Sequence, residues 1–320
     1  MSQDIYVVVE HLQGKVADIS YLMLAAASEL AQGSGGDVVG LLLGHECREL
    51  ARDLDAKRVI YVEHTALTEF SSDAYLKVLA TIVEEDNPRA VLIGNTSIGA
   101  GIASVLSARF DLPLVGLCRE FDGNGRFISQ ICGGKIMAEG NLPGPAALVT
   151  MIPGGYDLAD GHSQTPPAIA TRTAPNLDDL RVTMVEYLEP EVGDVDIAAE
   201  SILIAVGRGV QTQDNIEFVE ELADLLNAEI CGSRPIVDQG WLPTSRLVGK
   251  SGNSVKPDLY LAMGISGAPE HVEAITDSKM IIAINTDPDA PIFDIASYGA
   301  EVDMLDLTEY LIEALEEIKG

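Results

Sequence analysis

The sequence predicts an α/β protein of two domains, each built on a mostly parallel sheet. Short apolar runs alternate with stretches whose apolar residues recur every three or four positions, which is the pattern of buried strands followed by amphipathic helices. The chain of 320 residues is also about twice the usual length of one domain, at ~150 residues. A segment rich in proline and acidic residues interrupts the alternation near the middle of the chain.

The N-terminal half begins with four strand-and-helix units. Their apolar runs are Ile5–Val9, Val38–Leu43, Val59–Val62 and Ala90–Ile93. Two β-rich segments follow, at 114–121 and 127–132, on either side of a D-G-N-G sequence that is typical of a hairpin turn. We therefore expect an N-terminal α/β domain whose mostly parallel sheet carries an antiparallel extension.

The connection between the domains is expected from about residue 153 onwards, where prolines and glycines cluster before the acidic stretch Glu186–Asp196. We place the boundary near Val192–Ala199. The N-terminal domain then comprises residues 1–195, with the connecting segment included, and the C-terminal domain comprises residues 196–320.

The C-terminal domain is predicted to be doubly wound and Rossmann-like. Its apolar strands are Ser201–Val206, Leu259–Met263 and Met280–Ile284, and an amphipathic helix lies between the first two at 216–226. We expect the last helix to run from Thr308, a residue type suited to an N-cap, to Ile318.

The charge of the chain excludes several function classes. Fifty acidic residues stand against 20 Lys and Arg, so the net charge of -30 repels nucleic acid and anionic membranes. No apolar run approaches the ~18 residues of a membrane span, so we expect no membrane insertion. The four cysteines and five histidines lack metal-ligand spacing, which predicts no metal site and reduced thiols in a cytoplasmic protein.

The N-terminal half offers one glycine-rich turn, at 94–101, after a strand and before a helix. Two interpretations stay open for it: an anion-binding turn, or a tight turn that the packing of helix on strand requires. The rest of this half contains no phosphate-binding loop and no nucleophile with an obvious partner histidine.

The C-terminal half carries polar, glycine-bearing turns after its strands, and these turns gather at one edge of a parallel sheet. In the turn at 263–271, glycines allow a phosphate to approach the backbone, Ser266 adds a hydroxyl, and Pro269 suits the first position of a helix. Glu270 would compete with a bound anion, so we expect its side chain to turn outward. The segment has a structural alternative, an ordinary strand, turn and helix.

Two cations lie on glycine loops in a chain that is short of cations. Arg234 follows Gly232 and Ser233, and Lys250 lies between Gly249 and the next glycine, Gly252. Together with the turn at 263–271 they predict an anionic ligand, whereas either cation alone is equally explained by a surface ion pair.

Beyond these loops, the sequence from Gly207 to the end resembles the alpha subunit of the electron transfer flavoproteins. The resemblance is carried by GRG, GSRPIVDQGW, VGKSG, PDLYLAMGISGAPEH, SKMIIAINTDPDAPIF and YGAEVDML, and more loosely by IYVVVEH at the start. It implies FAD bound by the C-terminal domain and a heterodimer with an electron transfer flavoprotein beta subunit. It also implies an electron carrier, rather than a stand-alone enzyme, between donor dehydrogenases and a quinone-linked or other acceptor oxidoreductase.

The resemblance also implies which residues line the FAD site: Arg208, Ser233, Arg234, Val248, Gly249, Lys250, Ser251, Ser266, Gly267, Ala268, Pro269, Glu270, His271, Asn285, Asp303 and Met304. Arg234, Ser251 and His271 resemble the residues that act at the reactive ring. Arg234 would lie over the isoalloxazine, Ser251 near its central nitrogen, and His271 would donate to the pyrimidine carbonyl. A fixed positive charge there favours negative charge on the reduced ring.

Three alternatives stay open at this stage. The chain could serve a bifurcating flavoprotein that uses a second FAD, or it could be a nucleotide-binding scaffold subunit without redox activity. A stand-alone NAD-dependent oxidoreductase is disfavoured, because the sequence lacks a GxGxxG fingerprint and an obvious acid–base pair.

Lys250 departs from the pattern that the sequence resembles, which has Gln at this position. A cation facing the flavin stabilises its reduced anionic forms, so we expect Lys250→Gln to lower the FAD midpoint potential. A spectroelectrochemical titration of both proteins tests this expectation, and an unchanged midpoint would contradict it.

Overall fold

The computed structural model describes residues 2–132, 135–186 and 195–319. The chain divides into two compact units, Met1–Glu186 and Tyr187–Gly320. The expected boundary near Val192–Ala199 lies partly outside the described ranges and stays a prediction. Within those ranges, no helix combines the length and the apolar composition that crossing a bilayer would need.

The N-terminal unit contains eleven strands and three α-helices among its described residues. The strands are β1 (Ile5–Val9), β2 (His11–Leu12), β3 (Lys15–Val16), β4 (Val38–Gly44), β5 (Arg58–Glu63), β6 (Ala90–Gly94), β7 (Leu114–Phe121), β8 (Arg126–Ile131), β9 (Ile136–Asn141), β10 (Ala147–Met151) and β11 (Ala168–Thr173). The helices are α1 (Asp18–Ser34), α2 (Ser72–Asp86) and α3 (Gly99–Phe110). This element order confirms the predicted alternation of strands and helices.

Nine of these strands form one sheet in the order β11-β5-β4-β1-β6-β10-β7-β8-β9. The strands from β11 to β7 are parallel, and β8 and β9 add the predicted antiparallel extension. Because β1, β4, β6 and β10 are covered on both faces, every residue in them is buried. Helix α1 packs in the core on one face, and α2 and α3 pack in the core on the other.

The strand order of this sheet reverses direction between β1 and β6, and an internal carboxylate occupies that point. Glu10, just after β1, is only 2% exposed, and its two carboxylate oxygens accept from Thr96 Oγ1 at 3.0 and 2.9 Å. A Cβ atom on Gly99 would lie 2.2 Å from the Gly94 carbonyl oxygen, so only glycine allows this close backbone approach within the turn. The glycine-rich turn at 94–101 is therefore a tight packing turn around an acid of the same chain.

The C-terminal unit is a five-stranded parallel sheet with helices around it. Its elements are β12 (Ile202–Val206), α4 (Ile216–Leu226), β13 (Glu229–Gly232), α5 (Arg234–Asp238), β14 (Leu259–Met263), α6 (Pro269–Val272), β15 (Ile281–Asn285), β16 (Tyr298–Glu301) and α7 (Met304–Lys319). The strand order is β13-β12-β14-β15-β16. The chain runs outward to β13 first and then crosses to β14, so the order reverses between β12 and β14, as the doubly wound prediction requires.

The start of the last helix differs from the sequence-based expectation. The last helix begins at Met304, one turn before Thr308, so Thr308 is not an N-cap. Thr308 is fully buried within the helix, and its hydroxyl donates to the Met304 carbonyl at 2.6 Å. Asp303 Oδ1 instead accepts from the Leu305 amide at 2.9 Å at the start of this helix. Helix α6 is a single turn of four residues.

Glu10→Gln should remove a pH dependence of folding stability. Burial raises the pKa of Glu10 from 4.5 to about 7. The folded chain therefore holds an extra proton between these values, and stability is lost as the pH rises through them. From about pH 5 to about pH 8 the free energy of unfolding of the wild type should fall by about 2–3 kcal/mol more than that of Glu10→Gln.

Urea unfolding of both proteins at these two pH values, followed by far-UV circular dichroism, measures this difference. Gln keeps the size of the side chain and an oxygen that accepts from Thr96 but has no proton to lose, so it is the matched substitution. Equal pH dependence of the two proteins would contradict the assignment.

Candidate functional site

A cavity of about 880 Å³ lies in the C-terminal unit at the carboxyl ends of its strands. It opens over the point where the strand order reverses between β12 and β14, the usual ligand position in such sheets. Fifteen of the sixteen residues predicted for the site line it, and Pro269 does not: Arg208, Ser233, Arg234, Val248, Gly249, Lys250, Ser251, Ser266, Gly267, Ala268, Glu270, His271, Asn285, Asp303 and Met304. Their individual contacts with a ligand stay predictions.

Glycines bring two turns into direct backbone contact beneath this cavity. A Cβ atom on Gly207 would lie 2.1 Å from the Gly264 carbonyl oxygen, and one on Gly264 would lie 2.6 Å from Gly209 Cα. The Gly207 amide also donates to the Met263 carbonyl at 2.8 Å. The backbone of the G-R-G turn after β12 therefore packs directly against the backbone of the turn after β14.

The turn after β14 brings three backbone amides to the cavity wall. Among the described residues, the amides of Ser266, Gly267 and Ala268 donate to no protein acceptor. Asn285 holds the turn in place, because its Nδ2 donates to the Ile265 carbonyl at 2.8 Å. Three such amides beside a cavity are suited to the oxygens of a diphosphate, although α6 is only one turn long, and binding of an anion there stays a prediction.

Arg234 is held at the cavity by two side chains. Its Nε donates to Asp238 Oδ1 at 2.7 Å, and Nη1 donates to Ser251 Oγ at 3.1 Å. Ser233 starts the short helix α5 and anchors it through its amide, which donates to the Val206 carbonyl at 3.0 Å. The guanidinium of Arg234, which lies just after β13, therefore points toward the loop at 247–253.

Lys250 is the second cation at the cavity, and its side chain is half-exposed. Its Nζ lies 3.9 Å from Glu273 Oε2, a loose surface pair, while its amide donates to the Glu270 carbonyl at 2.8 Å. The backbone of Glu270 thus supports the Lys250 loop. The side chain of Glu270 is exposed, as expected from its position beside an anion site.

His271 is buried, and both of its ring nitrogens have partners in the chain. Nδ1 lies 3.0 Å from the Val248 carbonyl oxygen and Nε2 lies 2.9 Å from the Tyr260 hydroxyl. Burial lowers its pKa from 6.5 to about 4, which keeps the imidazole neutral near pH 7. Donation to a flavin carbonyl, the role that the resemblance implies, would require one of these bonds to open, and that role stays a prediction.

The residues at this site that the sequence-based reasoning missed include Asp238, Gln211 and Tyr260. Asp238 is four positions after Arg234 on one helix, a spacing that could have shown the pair. Gln211 lines the cavity and donates to Asp303 Oδ2 at 3.4 Å. Tyr260 contacts His271 from within β14, where its position gave no signal.

Taken together, the fold and the site define a domain that binds a nucleotide-containing cofactor. Close-packed glycines, amides without partners and two cations meet at the reversal point of a doubly wound parallel sheet. The size of the cavity and the mixture of anion donors with apolar wall suit a ligand larger than a phosphate ion.

Comparison with known proteins identifies the family. Residues 196–276 match the electron transfer flavoprotein FAD-binding domain, and residues 5–177 match the electron transfer flavoprotein domain. The chain belongs to the electron transfer flavoprotein family, as an FAD-binding subunit of the alpha type.

Several proteins similar over their whole length are named as electron transfer subunits. The chain is 32% identical to the acryloyl-CoA reductase electron transfer subunit beta of Anaerotignum propionicum, over 99% of this chain and 97% of that protein. It is 30% and 29% identical to the electron transfer flavoprotein subunits alpha of Thermoanaerobacterium thermosaccharolyticum and Bacillus subtilis, over 99% of each chain. Alpha subunits of this family pair with a beta subunit.

Asp238→Asn should raise the midpoint potential of bound FAD. The variant keeps an oxygen that accepts from Arg234 Nε and removes the negative charge that offsets the guanidinium. Asp238 is about half-exposed, so solvent screens part of this effect, and we expect a rise of roughly tens of millivolts at most. Spectroelectrochemistry of the FAD-loaded protein measures the shift.

Asp258→Asn is the matched control, since Asp258 pairs with Lys279 at the amino end of β14, away from the cavity. It changes the net charge equally. Equal potentials in the two variants would show that Asp238 acts only through the total charge of the protein.

Proposed function

We propose that this chain holds FAD in the cavity above β12 and β14 and passes electrons from dehydrogenases to a quinone-linked or other acceptor. It works as the alpha subunit of a heterodimer with a beta subunit. The observation that carries the proposal is the group of amides at 266–268 that lack protein acceptors, in the same cavity as Arg234 and Lys250. This arrangement suits the diphosphate of an anionic cofactor.

Different residues along the cavity have different roles toward FAD. The amides of Ser266, Gly267 and Ala268 bind the diphosphate, and Asn285 keeps their turn in shape. Arg234, oriented by Asp238 and Ser251, places a fixed positive charge beside the isoalloxazine, which when bound supplies the one- and two-electron chemistry. A fixed charge needs no reorganisation when the charge of its neighbour changes, so it suits rapid electron transfer.

The N-terminal unit supports a count of one FAD for this chain. The reversal point of its sheet, where a second nucleotide would bind, contains Glu10 and Thr96 instead. A second FAD, as in a bifurcating flavoprotein, would then belong to the partner subunit. The buried thiols Cys118 and Cys231 suit a reducing compartment, so we place the complex in the cytoplasm.

The test is a flavin count on the complex purified with its beta-type partner, followed by stepwise reduction. One FAD per heterodimer supports the simple carrier, and two FAD of unequal potential support the bifurcating alternative. A complex that cannot be loaded with FAD would contradict the proposal and favour a scaffold subunit without redox activity.

Gly267→Ala should weaken FAD binding about tenfold or more. Gly267 has a φ of +84°, and a Cβ atom there would lie 2.2 Å from the Ile292 amide nitrogen, so the turn that presents the three amides has to move. Fluorescence titration of flavin-free protein with FAD measures the affinity.

Gly240→Ala is the control for backbone strain alone. Gly240 has a φ of +72°, no atom lies within 4 Å of its added Cβ, and it does not line the cavity. FAD affinity that falls equally in both variants would argue against binding at the turn after β14.

A further inference from the structure

The turn after β12 ends in a residue whose backbone is strained. Gln211 has a φ of +67° and a ψ of -48°, values that residues with a side chain rarely adopt. The Thr212 amide donates to the Val210 carbonyl at 2.8 Å across Gln211, which closes a γ-turn of the rare form. Asn215 Nδ2 donates to the same carbonyl at 2.8 Å and so helps to hold the turn closed. Glycine would adopt this conformation without strain, yet the chain has glutamine here.

The side chain of Gln211 extends along the cavity wall to the start of α7. It lines the cavity, and its Nε2 donates to Asp303 Oδ2 at 3.4 Å. The other carboxylate oxygen of Asp303, Oδ1, accepts from the Leu305 amide at 2.9 Å. Each oxygen of a carboxylate has two lone pairs, so both oxygens can still accept from a ligand. The two bonds therefore orient the carboxylate and leave it able to bind a donor in the cavity.

The position of this pair in the sheet indicates which part of the cofactor it faces. Arg234 follows β13 at one edge of the sheet, the turn at 266–268 follows β14 in its centre, and Asp303 follows β16 at the other edge. In FAD the diphosphate lies between the ring and the adenosine. If the ring lies beside Arg234 and the diphosphate at the turn, as proposed above, the adenosine half lies on the side of Asp303. Its ribose has two hydroxyl donors, which a carboxylate accepts.

We propose that Gln211 is a positioning residue for the adenosine half of FAD. Its amide orients the Asp303 carboxylate toward the ribose hydroxyls, and the strained turn brings the amide within reach of that carboxylate. Because it concerns the same cofactor, this role rests on the proposed function. It separates recognition of adenosine, which Gln211 supports, from control of the flavin potential at the ring, where Arg234 lies.

Gln211→Met tests this role, because Met keeps the length of the side chain and removes the amide. We expect FAD binding that is about threefold to tenfold weaker, the effect of losing one hydrogen bond. The midpoint potential of bound FAD should stay at the wild-type value, since the adenosine is the same in oxidised and reduced FAD. Fluorescence titration of the flavin-free heterodimer and spectroelectrochemistry of the loaded heterodimer measure the two quantities.

Gln213→Met is the matched control for this substitution. Gln213 lies two positions further along the chain, is exposed and does not line the cavity. Its replacement should leave the FAD affinity unchanged. In an Asp303→Ala background, Gln211→Met should have no further effect on affinity, because Gln211 acts through that carboxylate.

Gln211→Gly separates this role from folding stability. Glycine removes the amide and also relieves the strain at a φ of +67°. We expect FAD binding to weaken as in Gln211→Met, while the urea midpoint of the flavin-free protein is at least that of the wild type. A residue with a structural role alone would not lower the affinity of a fold that is equally stable.

Three results would overturn the proposal: wild-type FAD affinity in a folded Gln211 variant, a shifted midpoint potential in that variant, or an equal loss of affinity in Gln213→Met. If Gln211→Met does not fold, Gln211→Gly decides by the same measurements. A wild-type heterodimer that cannot be loaded with FAD would instead contradict the proposed function, and this role with it.

Discussion

The cofactor site depends on one contact, in which the glycine turn after β12 packs directly against the glycine turn after β14. Gly207 and Gly209 meet Gly264 at distances that no side chain permits. This contact brings together the carboxyl ends of β12 and β14, which fixes where the cavity lies. Three parts of the site lie around these two packed turns: the turn at 264–268, the loop at 247–253 and the arginine of α5. Larger residues at these glycines would separate the two strand ends and the turns that follow them.

The two units differ in what occupies the crevice at the reversal of their strand order. Both sheets reverse their strand order, which leaves a crevice at the carboxyl ends of two neighbouring strands. In the C-terminal unit, amides and cations lie around that crevice, which stays open as a cavity. In the N-terminal unit, Glu10 fills it and Thr96 bonds to the carboxylate. In the N-terminal unit a buried carboxylate thus occupies the place that the C-terminal unit leaves open as a cavity.

Much of this architecture could be predicted from the sequence, because strand and helix periodicities and glycine turns are local patterns. The alternating elements, the antiparallel extension and the place of the site all follow from such patterns. The start of α7 was wrong, since Thr308 looks like an N-cap locally but is buried within the helix by its packing. The pairing of His271 was also beyond local reasoning, because its partners lie 11 and 23 positions away and meet only in the folded sheet.

The contrast between Glu10 and the amides at 266–268 has a consequence for protein turnover. A unit that satisfies its own crevice has the same folding equilibrium whatever the supply of nucleotide. A unit that leaves amides open gains stability in proportion to the logarithm of ligand concentration, by mass action. When FAD is scarce, the C-terminal unit loses this stabilisation and becomes more open to local unfolding and to proteases. The cofactor would then regulate the abundance of the subunit as well as its chemistry.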